Sequence, residues 1–274
     1  MAQSDPGPDG FALDEIIVTA TKRPVEMQDA PISLSVVSGD KIEAMGMGEL
    51  EDVALYMPNV HIAEGAITPL LFIRGVGSGM NPGFEQSVGT FVDGVYYGRG
   101  QHSRAAFLDL ERVEVLKGPQ STLFGKNTIA GAINITSAQP TEEFEGYIDA
   151  AFESEVDGVS VSAMLSGPLS DAVRVRVVAK KSDDDGWMTN TAVGGVGGPE
   201  EDNLAIRGTL EWDASESLVF TLKAERNHYK FLGRQQVISI ANPTATFLYR
   251  TFGDAGFSPG FDYVRNVRTA VQPE

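Results

Sequence analysis

From residue 141 onward the chain alternates apolar and polar residues in segments of roughly ten, the length and dyad period of a membrane-spanning β-strand. "EGYIDAAFESE" opens the series with imperfect alternation. In "DGVSVSAMLSG", Val159, Val161, Ala163 and Leu165 share one face, and Ser160, Ser162, Met164 and Ser166 share the other. "AVRVRVVAKK" sets Val173, Val175, Val177 and Ala179 against Arg174, Arg176, Val178 and Lys180. "NLAIRGTLEW" and "SLVFTLKAER" repeat the pattern with Leu204, Ile206, Leu210 and Trp212, and with Leu218, Phe220 and Leu222. A two-residue period is incompatible with a helix, so these five segments predict an antiparallel sheet.

The connections discriminate further. "PLSDA" and "DASES" are short, whereas "SDDDGWMTNTAVGGVGGPEED" is long, acidic and glycine-rich, and a long stretch follows Phe231. Short turns at one end and long loops at the other is outer-membrane barrel organisation. The short connection at Val156–Gly158 is the exception. A soluble antiparallel sandwich also alternates. Mid-strand Arg and Lys on the non-apolar face favour a wet lumen, and no second set of apolar faces is evident to close a core.

Upstream the pattern differs. Residues 1–13 carry Pro6, Gly7, Pro8, Asp9 and Gly10 and read as a mobile tail. "DEIIVTATKRP" (14–24) has a β-branched core at Ile16–Thr19, yet no hairpin turn joins it to a neighbour. It reads as an unpaired strand. A strand at Ile32–Val37 and a helix with apolar Leu50, Val53, Ala54, Leu55 and Met57 follow; Ser38 or Asp40 could cap the helix and Pro58 stops it. Glycine-broken short strands then run to Pro140. Residues 25–140 therefore read as one compact α+β domain, followed at 141–274 by an incomplete barrel.

Composition excludes several functions. A net charge of −17 over 274 residues argues against nucleic-acid binding. The chain has no cysteine, so thiolate metal sites and cysteine nucleophiles are out. His61, His102 and His228 have no metal-ligand spacing. "GPQSTLFGKNT" fails as a phosphate loop, because Gly118 lies too far from Gly125 and Asn127 follows Lys126. No enzyme, cofactor or metal site is expected. No apolar run is long enough for a transmembrane helix. The N-terminus lacks the charge and hydropathy pattern of a signal peptide.

"LERVEVLKGPQSTLFGKNTIAGAINITSAQP" (110–140), "LFIRGVGS" (71–78), "VGTFVDGVYYGR" (88–99) and "DEIIVTATK" (14–22) together resemble TonB-dependent outer-membrane receptors. The resemblance implies an α+β plug domain followed by the first strands of an antiparallel transmembrane barrel of about 22 strands. Five strands cannot close such a barrel and open edges are not tolerated in lipid, so the chain would be a fragment of a receptor. The family implies energised uptake of a ligand such as a ferric siderophore, with the plug and N-terminus facing the periplasm. TonB, working with ExbB and ExbD, would pair with Glu15, Ile16, Ile17, Val18, Thr19 and Ala20 by strand addition. Ligand contacts would come from Met80, Phe84, Gln86, Tyr97, Arg99, His102 and Arg104. Arg74, Arg112, Glu114 and Lys117 would serve plug structure or plug–barrel contact. The alternative is a soluble β-rich binding module whose strands after 141 close their own core.

Overall fold

The computed structural model describes residues 17–18, 25–63, 69–79, 85–98, 107–154, 156–186, 188–190, 196–198, 200–232 and 266–267. Two short strands come first, β1 (Ile17–Val18) and β2 (Val25–Glu26). They pair antiparallel, Val18 opposite Val25, and Val18 is buried. The segment expected to be unpaired thus has a partner seven residues downstream in its own chain, in the stretch after Pro24.

The α+β unit then runs through β3 (Leu34–Ser38), α1 (Gly39–Ala44), α2 (Leu50–Leu55), β4 (Val60–Ala63), β5 (Leu70–Ile73), β6 (Val76–Gly77), β7 (Val88–Val92), β8 (Val95–Tyr97), β9 (Leu110–Lys117), α3 (Ser121–Phe124) and β10 (Gly131–Ser137). Its main sheet has the order β3-β9-β10-β7-β8, with β10 parallel to β7 and the other pairs antiparallel. A smaller sheet, β4-β5-β6, lies beside it. Val37, Ile42, Leu50, Val53, Leu71, Ile73, Val113, Val115 and Ile133 form one apolar core between helices and sheets.

The single helix expected after Val37 is two. Gly46 adopts a left-handed φ of 62° and ends α1, a conformation that a side chain disfavours. Ser38 occupies the N-cap of α1 but its side chain makes no cap bond. Glu49 and Asp52 cap α2 reciprocally instead. Leu55, expected on the apolar face, is 82% exposed, because only Leu50, Val53 and Ala54 of this short helix turn inward.

The C-terminal part contains β11 (Glu145–Glu153), β12 (Gly158–Ser170), β13 (Val173–Asp184), β14 (Met188–Asn190), β15 (Val196–Gly198), β16 (Glu200–Ser215), β17 (Leu218–Leu232) and β18 (Asn266–Val267). Five of these form an antiparallel sheet in the order β11-β12-β13-β16-β17; β14, β15 and β18 form a separate small sheet. The five long strands are the five alternating segments of the sequence. Their faces are inverted relative to a soluble sheet. Val177, Ile206, Trp212 and Leu222 are 43–67% exposed, while Arg176, Asn203, Arg207 and Thr209 are all under 9% exposed. A sandwich would bury the apolar row against a second sheet. Here the polar row is buried against the α+β unit and the apolar row faces outward, as in a membrane barrel wall. Among the described residues the sheet ends at β11 and β17 and is not closed.

Candidate functional site

The α+β unit meets the wall through Asp109, the residue immediately before β9. Asp109 holds a left-handed φ of 51°, which short polar side chains tolerate better than most. Its carboxylate accepts two hydrogen bonds from Arg176 of β13, Nε at 2.6 Å and Nη2 at 2.5 Å. Arg207 of β16 donates to the Asp109 backbone carbonyl at 2.6 Å and lies 3.3 Å from Oδ2. The strand register explains the convergence. Val178 lies opposite Arg207, so Arg176, two residues earlier, is its diagonal neighbour on the same face. Two guanidinium groups side by side in a dry seam need an anion, and Asp109 supplies it. Glu145 of β11 adds a salt bridge to Arg176 at 2.9 Å. Beside this cluster Leu108 packs against Met164, Val178 and Ala205 of the wall, a burial worth about 1.5–3 kcal/mol.

A second bolt uses the β7–β8 hairpin. Asp93 and Gly94 form its two-residue turn with φ of 47° and 80°, the Asp-Gly chemistry of a type I′ turn. The Asp93 carboxylate accepts from the backbone and hydroxyl of Ser137, both at 2.9 Å. Lys223 of β17 donates to Asp93 and, at 2.7 Å, to the Ser137 hydroxyl. Burial pushes the Asp93 carboxyl up, but Lys223 and Ser137 outweigh it and hold it below the usual aspartate range. A third link joins Thr141, whose backbone and hydroxyl donate to the Ser166 hydroxyl at 3.0 and 2.8 Å.

Arg112 and Glu114 lie on β9 and bond to one another at 2.8 Å; Asn134 donates to the fully buried Glu114 at 3.0 Å. Arg112 also pairs with Glu111. These contacts brace the α+β unit internally. Lys117 ends β9, and burial followed by the charge of Arg74 lowers its ammonium below the usual lysine value. The wall is bolted by Asp109 and Asp93, which nothing in the local sequence pattern singles out. The legible half of the Asp109 bolt was the pair of mid-strand arginines on the polar face.

Of the expected ligand residues, Gln86 is buried just ahead of β7 and Tyr97 is half-buried at the end of β8. Met80, Phe84, Arg99, His102 and Arg104 lie outside the described residues, as do Glu15, Ile16, Thr19 and Ala20. The approach to the first loop is braced by Glu85, which accepts from Lys126 at 3.1 Å and from Asn127. Asn127 also donates to the Tyr96 hydroxyl at 2.8 Å. Among the described residues no cluster of His, Asp or Glu has the geometry of a metal site.

An α+β unit bolted by buried ion pairs to an inside-out antiparallel sheet defines a plug seated against a membrane-barrel wall. Residues 26–132 match the TonB-dependent Receptor Plug Domain family. Residues 26–132 thus form a plug domain of the TonB-dependent receptor type, and the chain as a whole is similar to receptors that carry one. It is 31% identical over 183 residues to the pesticin receptor of Yersinia pestis, covering 65% of this chain and 27% of that protein. To the ferripyoverdine receptor of Pseudomonas aeruginosa it is 26% identical, covering 76% of this chain and 24% of that one. The crystal structure of the ferric yersiniabactin uptake receptor of Yersinia pestis superposes with a TM-score of 0.66 at 28% identity, covering 72% of this chain and 32% of that structure. The chain thus spans 24–32% of the length of these relatives.

Proposed function

We propose that this chain is the plug and first wall strands of a bacterial outer-membrane receptor that takes up a scarce ligand, a ferric siderophore or another iron complex, by TonB-driven transport. The observation that carries the reading is the inverted sheet. Its apolar row suits lipid, and its buried polar row suits a plug that must be held yet released. The relatives' names point to iron-chelate cargo. The plug and N-terminus would face the periplasm, where TonB is energised by ExbB and ExbD. Ligand would meet the loops carrying Met80, Phe84, Gln86, Tyr97, Arg99, His102 and Arg104; arginine suits an anionic chelate. Gln86 and Tyr97 would have to act from the floor of that site, since both are at least half-buried.

TonB would add a strand to Glu15–Ala20. Because Ile17–Val18 already pairs with Val25–Glu26, the incoming strand would take the opposite edge or displace the internal partner. The test is binding of an isolated TonB C-terminal domain to wild type and to Val18→Pro. Proline removes a donor and resists pairing. The expected result is a loss of binding of about tenfold or more, equal to ~1.4 kcal/mol. Unchanged binding refutes the assignment of the segment.

A further inference from the structure

Beside the Asp109 bolt, the seam between the plug helices and the wall widens into a cavity of about 1070 Å³, which uptake as described above does not use. Its lining is one-sided in charge. Among the described residues it carries nine acids and one base, Lys180. Some of the acids are already engaged. Asp109 holds Arg176 and Arg207, Asp183 pairs with Lys181, and Asp52 accepts from the amides of Gly48 and Glu49. Glu43, Asp149, Glu153 and Asp184 have no salt bridge to a base among the described residues. Burial, followed by the charges of Asp109 and Asp40, pushes the Glu43 carboxyl up, as in a region short of positive charge.

A neutral side chain points to the same space. The ladder sets Asn203 of β16 between Ser182 and Tyr229, and all three line the cavity. Asn203 is 3% exposed, and its Oδ1 has no hydrogen-bond donor. A buried carbonyl is stable where a donor reaches it, and the cavity is the side from which one can arrive. The spacing of the lining narrows the guest. Ala151, Ser160, Ser182 and Asn203 form one cross-strand row, so Asn203 lies three strand spacings, roughly 14 Å, from β11. Asp149 and Glu153 flank Ala151 on that strand's inward face. A guest that serves both ends is extended and rich in N–H donors. Among the described residues no cluster has the geometry to hold a bare metal ion. Ile42, Met47 and Phe107 add apolar surface to the lining, which suits a methylene chain.

We propose that this cavity binds a linear organic polyamine. Its ammonium groups meet the carboxylates of Asp149 and Glu153 at one end, an N–H reaches Asn203 Oδ1 at the other, and the methylenes between them lie against Met47 and Phe107. Such a guest supplies the positive charge and the donor that the lining is short of. It bridges plug and wall without a covalent step. The site depends on the seam and not on the cargo or on TonB, so its failure leaves the transport reading untouched.

The test is calorimetric titration of spermine into the full-length protein in detergent at low ionic strength. Saturable binding at one site per chain is expected, tighter than for the shorter putrescine. Asp149→Asn removes a charge and should weaken binding about tenfold. Asn203→Leu removes the acceptor without changing the net charge and should weaken it by about the same factor. Asn203→Asp keeps an acceptor and should bind at least as tightly as wild type, and circular dichroism confirms that each variant is folded. Glu216→Gln, at the turn between β16 and β17 and outside the cavity, should bind as wild type does. Absence of saturable binding overturns the proposal. Binding that Asp149→Asn and Asn203→Leu both leave unchanged belongs to the acidic surface at large and overturns it too. Displacement of spermine by magnesium at equal concentration would show a site for any cation and overturn the polyamine.

Discussion

Replacing Asp109 by asparagine tests whether the plug is bolted to the wall where the geometry places the bolt. Asparagine keeps the shape, tolerates the left-handed backbone at this position and leaves the backbone carbonyl that receives Arg207. What it removes is one negative charge and one of the two acceptors for Arg176, which is 8% exposed; Arg207 is 3% exposed. A hydrogen bond to a charged group contributes about 1.5–3 kcal/mol. Breaking a buried pair outright costs about 3–5 kcal/mol, because the partner charge is left behind. Glu145 still serves Arg176 from the rim, so Asp109→Asn should cost about 2–3 kcal/mol, the lower part of these ranges. Asp109→Ala should cost about 1–2 kcal/mol more, from the lost acceptor and the unfavourable backbone region. The assay is native-state hydrogen exchange of β9, whose residues Leu110–Lys117 follow the bolt directly. Exchange of its slowest amides should speed up by a factor on the order of 30–150 in Asp109→Asn, since 1.4 kcal/mol is tenfold. If exchange there changes by less than about threefold, Asp109 does not hold the plug and the reasoning fails.

Three shorter tests accompany it. Lys223→Met should loosen β17 from the β7–β8 hairpin and leave Asp93 to Ser137 alone, weakening plug retention by about 1–3 kcal/mol as read by exchange of β8. The same contact should be acid-sensitive. The depressed Asp93 carboxyl contributes fully above its ordinary value of 3.8, and the contribution is lost as pH falls below that value; a plug equally retained at pH 3 and pH 6 would contradict it. Gly39→Ala should lift α1 from β9, because the added methyl would sit 1.8 Å from the carbonyl oxygen of Leu110; overpacking of this kind costs about 1–3 kcal/mol, measurable as a lowered midpoint in denaturant.

What could be read in advance followed the range of the forces involved. The two-residue period from Gly158 to Arg226 is a local property of the chain, and it set four of the five long strands and the two faces of each. Gly46 and Gly48 were equally visible, but their effect depended on whether the backbone there turned left-handed, so one expected helix became two. The strand at 14–24 looks unpaired in the sequence because no two-residue turn motif stands between Val18 and its partner Val25.

The sequence by itself determined that arginines stand in the middle of strands on the polar face, and that the apolar residues stand opposite them. It could not determine what neutralises those arginines. Arg176 finds Asp109 across 67 positions and Arg207 finds it across 98, and no pattern in the intervening residues encodes that distance. Only the tertiary structure made the pairing, because a charge buried in a dry seam is stable solely where the opposite charge is brought to hydrogen-bonding range.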